Sequence, residues 1–144
     1  MIKIILLFLV LTTSALANWP HENISQAVFS SSIANREPVE IITEADDSLG
    51  KIYFFTNIRN RVGDTITHRW IYTPTGTSTD KVKAEISFKV KGARWRVWSS
   101  KNIWHTWMGT WRVEVLDQHN QVLLVKTINF KKTQLKKVTR NKHE

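Results

Sequence analysis

The 144-residue sequence contains no cysteine. Disulfides, iron–sulfur clusters and thiol catalysis are therefore excluded. Only five glycines and three prolines are present, and no glycines cluster into a phosphate-cradling loop. The five histidines are scattered, with no H-x-H or H-E-x-x-H spacing, so a zinc site lacks convergent ligands. There is no G-x-S-x-G nucleophile elbow. These absences point to a chain with no metal, no cofactor and no marked catalytic residue. Carboxylate pairs leave no sequence mark, so an unrecognised hydrolase stays as a third reading.

Long apolar runs are also scarce. The one at the start, MIKIILLFLVLTTSALANWP, has Lys3 as a positive n-region and Ile4 to Leu11 as the apolar stretch. Ala15-Leu16-Ala17 fits a small-x-small cleavage site, so residues 1–17 read as a secretory signal peptide, with a retained anchor as the alternative. The stretch is short of the roughly 20 residues that span a bilayer as a helix. Export without disulfides suggests a periplasmic or cell-surface protein of a Gram-negative-type bacterium. The remaining 127 residues are one domain's worth.

What the chain does have is positive charge, unevenly spread. Asn18 to Asp80 carries five basic and eight acidic residues, whereas Lys81 to Glu144 carries fifteen and four. A basic half is an electrostatic footprint for an anionic partner. In an exported protein that partner is an envelope glycan, a protein or an anionic membrane surface; export argues against nucleic acid.

Residues 18–32 read as a lead-in, whose ISQAVFSSSI can start a first strand. Pro38 restricts its neighbourhood to an edge strand, about Val39 to Thr43. KIYFFTNIRN and TITHRWIYT follow as strands. In VKAEISFKVK, Val82, Ala84, Ile86, Phe88 and Val90 alternate with Lys83, Glu85, Ser87, Lys89 and Lys91, the period of a half-buried strand. ARWRVWS, TWRVEVLD and VLLVKTINF complete about seven strands, and Asp117 opens the last hairpin turn. The pattern predicts an all-β, antiparallel β-sandwich with an immunoglobulin-like layout over residues 33–130. Residues 131–144 form a basic tail expected to be disordered or loosely helical.

Several spaced motifs occur in order: Asn35 to Pro38 (NREP), Tyr53 to Thr56, Thr67 to Trp70 (THRW), Arg94 to Arg96 (RWR), Trp98 to Lys101, Trp107 to Gly109, and Trp111 to Asp117. Together they resemble the bacterial domain-of-unknown-function 2914 family from about Ile33 to Phe130. One departure is the loop PTGTSTDK, where the family often has a short Asn-Gly hairpin. The resemblance implies a secreted or membrane-attached all-β module. It implies no activity, ligand or catalytic residue.

Five of the seven tryptophans fall between Trp95 and Trp111. Strand alternation assigns Trp70, Trp95 and Trp111 to the core, and Gly109 nearby suggests Trp107 as a plug over the sandwich end. His68, on the face of Ile66 and Trp70, reads as a hydrogen-bonded interior histidine. Trp98 and Trp104 remain as candidate ligand-binding rings, with Arg94, Arg96 and Arg112 as candidate partners for acidic groups. If the strands of Arg94–Arg96 and Arg112 pair, the three guanidiniums form one patch. The alternative is a solvated outer face with partners such as Glu114. Lys131, Lys132, Lys136, Lys137, Arg140 and Lys142 are the candidate contacts to an anionic membrane. The expected function is a non-catalytic binding module recognising a glycan or partner protein, or else a structural protein held at a membrane by its tail.

Overall fold

The computed structural model describes residues 21–135, which form eleven strands and no helix. Seven are long: β1 (Ile24–Ser30), β6 (Lys51–Arg59), β7 (Thr65–Pro74), β8 (Lys81–Lys89), β9 (Arg94–Asn102), β10 (Gly109–Leu116) and β11 (Val122–Lys131). Four are short: β2 (Ile33–Ala34), β3 (Glu37–Pro38), β4 (Ile41–Ile42) and β5 (Glu44–Asp46). One sheet runs β4-β1-β6-β9 and the other β5-β11-β10-β7-β8. All pairings are antiparallel except β5 with β11. The chain changes sheet between β4 and β5, β5 and β6, β6 and β7, β8 and β9, and β9 and β10. This is an immunoglobulin-like sandwich, the expected fold.

The inner faces supply the core. Trp70 and Trp111 are fully buried, together with Phe54, Ile52, Ile58, Ile66 and Ile128. Trp111 lies between Tyr72 and Phe130, with ring centroids 4.8 and 5.2 Å away and planes nearly parallel. Trp70 meets it edge-on at 6.4 Å. Each such ring contributes about 2–3 kcal/mol through burial, which suits a domain with no covalent staples. Trp95 is only half-buried but packs on the same core.

Three expectations change in detail. The first long strand, β1, lies within the segment read as a lead-in, and its Ile24 and Ala27 are fully buried. The edge strand near Pro38 shrinks to Ile41–Ile42, paired with Phe29 and Ser30 of β1. Pro38 instead closes a two-residue hairpin with β2, whose turn residues Asn35 and Arg36 both have positive φ, as a tight hairpin demands. In β8 the alternation breaks. Trp70 pairs with Ala84 but Ile71 pairs with Val82, so Lys83 is an extra, bulged residue. Val82 consequently turns outward and is 58% exposed. A bulge re-aims side chains in this way, and period-2 reading cannot see it.

Candidate functional site

Strand β9 reaches the open end of the sandwich with Trp95, Val97, Ser99 and Lys101 in one alternation, the inward one. Ser99 sits deep. Its Oγ accepts the Trp70 indole N–H at 2.9 Å and lies 2.8 Å from His68 Nδ1. His68 Nε2 lies 2.9 Å from Thr56 Oγ1. The serine, having accepted from the indole, can send its own proton to Nδ1, which leaves Nε2 as the donor to Thr56. His68 is fully buried, and loss of hydration pushes its pKa down to about 3. It is the interior, hydrogen-bonded histidine the sequence suggested. The Ser–His pair has no orienting carboxylate in this network and lies out of solvent, so its geometry serves packing.

Two residues further along, Lys101 sits at the mouth. Its Nζ lies over the Trp107 ring, 5.2 Å from the centroid, and 6.0 Å from that of Trp111. The bulged Lys83 comes from the other sheet to the same ring, also at 5.2 Å, and lies 5.8 Å from Tyr72. The two ammonium groups are therefore separated by at most twice their distance to the ring. Neither has a carboxylate partner among the described residues. Burial first, and the Lys83 charge second, hold the Lys101 amine below the usual lysine pKa. The ring faces compensate in part, since a cation over an indole contributes about 0.5–2 kcal/mol.

The loop that carries Trp107 is bolted down. Its backbone N–H donates to the Trp104 carbonyl at 2.8 Å, and its carbonyl accepts the Trp111 indole N–H at 3.0 Å. Ile103 N–H donates to Gly50 O, and the Met108 carbonyl accepts from Tyr72 Oη at 2.9 Å. Gly109 has a φ of +146°, and a Cβ there would stand 2.4 Å from the Thr73 carbonyl oxygen. Only glycine permits that close approach of β10 to the end of β7. Trp107 packs against the core, its ring 5.7 Å from that of Trp111, and the two lysines lie over it. Trp104, in the same loop, is 52% exposed.

The remaining sequence candidates are dispersed. Arg94, Arg96 and Trp98 alternate on the outer face of the first sheet, where Glu37 Oε1 receives both guanidiniums, that of Arg94 at 3.3 Å. The NREP and RWR motifs thus meet in space. Trp98 is half-buried beside Phe55. Arg112 lies on the outer face of the other sheet, 3.0 Å from Asp80 and 3.9 Å from Glu114. The single three-arginine patch is therefore overturned: β9 pairs with β6 and β10 with β7 and β11, so the two outer faces point in opposite directions. Lys131 is paired with Glu44 at 2.7 Å, and Lys132 is exposed. Lys136, Lys137, Arg140 and Lys142, like the signal peptide, lie outside the described residues. Among the described residues no group of His, Asp or Glu is placed to hold a metal ion.

Lys83 and Lys101 were missed because alternation marks Lys83 as a solvent-facing residue and says nothing of a charge on an inward register. The signal available was the position of Lys101, four residues after the inward Val97.

Residues 63–131 match the family described as "Protein of unknown function (DUF2914)". Over that segment, just under half of the chain, the sequence is similar to the DUF2914 family. The DUF2914 match runs from the turn before β7 to the end of β11, so it includes every residue of the Lys83–Trp107–Lys101 cluster and leaves out NREP. No curated protein matches the sequence. Among solved structures, an immunoglobulin-like protein from Pseudomonas aeruginosa is similar at 19% identity and a TM-score of 0.53, covering 76% of this chain and 94% of its own. An alkylpurine DNA glycosylase from Pseudomonas fluorescens, bound to DNA containing an abasic site analog, is similar at 13% identity and a TM-score of 0.50. It is covered over 30% of its length, against 76% of this chain. Both likenesses concern the fold alone.

Proposed function

We propose that this chain is an exported, non-catalytic interaction module of the bacterial envelope that recognises a glycan or a partner protein at the loop end of its sandwich. The observation that carries the reading is the exposed Trp104 in the same hydrogen-bonded loop as Trp107, whose ring is met by two lysines with no acidic partner among the described residues. A fixed aromatic surface with unsatisfied charge at loops is what recognition uses. The arginines named from sequence support it less well, since Glu37, Asp80 and Glu114 already neutralise them. Immobilised domain incubated with envelope extract should retain a glycan or protein, and Trp104→Ala should reduce that retention at least several-fold. Equal retention by the variant sinks the reading.

A second reading, attachment to an anionic membrane through the tail, has its own support. Asp47 accepts from the Thr133 backbone N–H at 2.8 Å and from the Thr133 hydroxyl, which ties the start of the tail to the end of the sandwich that bears Trp104. Removing residues after 135 should then release the protein from vesicles rich in phosphatidylglycerol. Salt-independent binding that survives the truncation defeats this alternative.

A further inference from the structure

Lys101 is an odd residue for its position. The inward register of β9 otherwise holds Trp95, Val97 and Ser99, and Lys101 continues it at the mouth between the sheets. A methionine or leucine there would cover Trp107 and Trp111 without carrying charge. Lys83 reaches the same ring only because β8 bulges. Two strands of opposite sheets thus deliver like charges to one indole, and no acidic side chain among the described residues answers either. Elsewhere in the same domain most described arginines do have an acidic partner: Arg61 with Asp64, Arg69 with Glu85 and Glu114, Arg94 and Arg96 with Glu37, Arg112 with Asp80. Other described lysines, such as Lys51, Lys81 and Lys91, also lack an acidic partner, but they are not gathered on one indole; what sets Lys83 and Lys101 apart is that both lie over Trp107.

We infer that Lys83, Lys101 and the Trp107 ring form a binding site for a phosphate monoester group. The charge decides the class. A carboxylate brings one negative charge and leaves the second ammonium unanswered. A phosphate monoester brings between about 1.5 and 2 charges at neutral pH and three acceptor oxygens, which matches the charge of the two ammonium groups. The hydrogen-bonded loop holds the Trp107 ring in place beforehand, so this part of the site needs little ordering on binding. The inference rests on the loop-end reading above and names the group recognised there. A phosphorylated sugar and a phosphorylated lipid head group present the same chemistry.

The test uses the whole exported domain with its tail. Lysine Nζ resonances and Trp107 ring resonances, the latter assigned with Trp107→Phe, are followed by NMR during titration with inorganic phosphate, a hexose phosphate and glucuronate. The expected result is saturable shifts at Lys83, Lys101 and Trp107 with the phosphates, affinity at least tenfold weaker for glucuronate, and loss of binding by tenfold or more in Lys101→Met and Lys83→Met. Both variants leave the backbone and the rest of the core alone, and unchanged spectra elsewhere verify that they fold. Absence of saturable shifts, glucuronate binding as tight as phosphate, or undiminished affinity in the methionine variants overturns the inference. Vesicles containing phosphatidic acid, set against the soluble hexose phosphate, identify whether the phosphate is borne by lipid or by sugar. If the double variant still retains its envelope partner, the module reading stands and only the phosphate site falls. If phosphate binds but no envelope partner is retained, the reverse holds.

Discussion

Ser99 and Lys101 lie two residues apart on the same strand and face the same way, yet their surroundings differ completely. Around Ser99 every polar group found has a partner: indole, imidazole and threonine hydroxyl form one chain through the core. Around Lys101 two charges share a ring, and no carboxylate among the described residues pairs with them. Buried polar groups persist where they are hydrogen-bonded, so the first region is explained by stability alone. The second is not explained by stability, and it is there that we propose a ligand. The Ser99 network is satisfied within the chain, whereas the lysine pair is the place where the proposed ligand would act.

Substitutions can break this contrast. Trp111→Ala, which removes the ring shared by the core stack and the Lys101 contact, should lower stability by about 3–5 kcal/mol, read by urea unfolding. Acid should expose the finished network next. His68 has its folded pKa pushed below its unfolded one, to about 3, so the unfolded chain binds a proton first and stability falls as pH drops through 6.5. The loss should approach about 3 kcal/mol between pH 7 and pH 4. The lowered carboxylates Asp47, Asp80 and Asp117 lose their contributions only lower, as pH falls through the ordinary aspartate range and beyond. A flat stability profile from pH 7 to 4.5 would refute the buried, neutral assignment of His68.

Gly109→Ala should cost about 2–3 kcal/mol, because the new methyl group meets the Thr73 carbonyl. It should also displace Trp107 and so weaken loop-end binding. The smallest effect sharpens the contrast most. Lys101→Met should leave stability unchanged or raise it by no more than about 1 kcal/mol, since it deletes an unpaired charge screened by solvent. Its protonated form is the disfavoured one, so stability from this group increases with pH between the lowered folded value and the unfolded value of 10.5. A variant that gains or keeps stability while losing phosphate marks Lys101 as functional. One that loses several kcal/mol shows it to be structural.

Much of the fold was legible because strands advertise themselves by alternation and turns by their chemistry. Asp117, read as the opener of a hairpin, does accept the backbone N–H groups of His119 and Gln121. His68 was legible too, since its neighbours two residues either side, Ile66 and Trp70, are apolar. The bulge at Lys83 was not, because it depends on how β8 and β7 register against each other. Nor was the separation of Arg112 from Arg94 and Arg96. Chain neighbours usually pair, but the β9–β10 connection crosses from one sheet to the other.

By itself, then, the sequence determined the all-β class, the order of the main strands, which rings are core, and the likeness of residues 63–131 to the DUF2914 family. These depend on local period and on spaced motifs, both of which are properties of a string. The tertiary structure alone decided which charges meet. Glu37 lies 57 and 59 residues from the arginines it neutralises, and Lys83 and Lys101 come from different sheets to one indole. Such pairings are set by sheet assignment, register and a single bulge, and these exist only once the chain has folded.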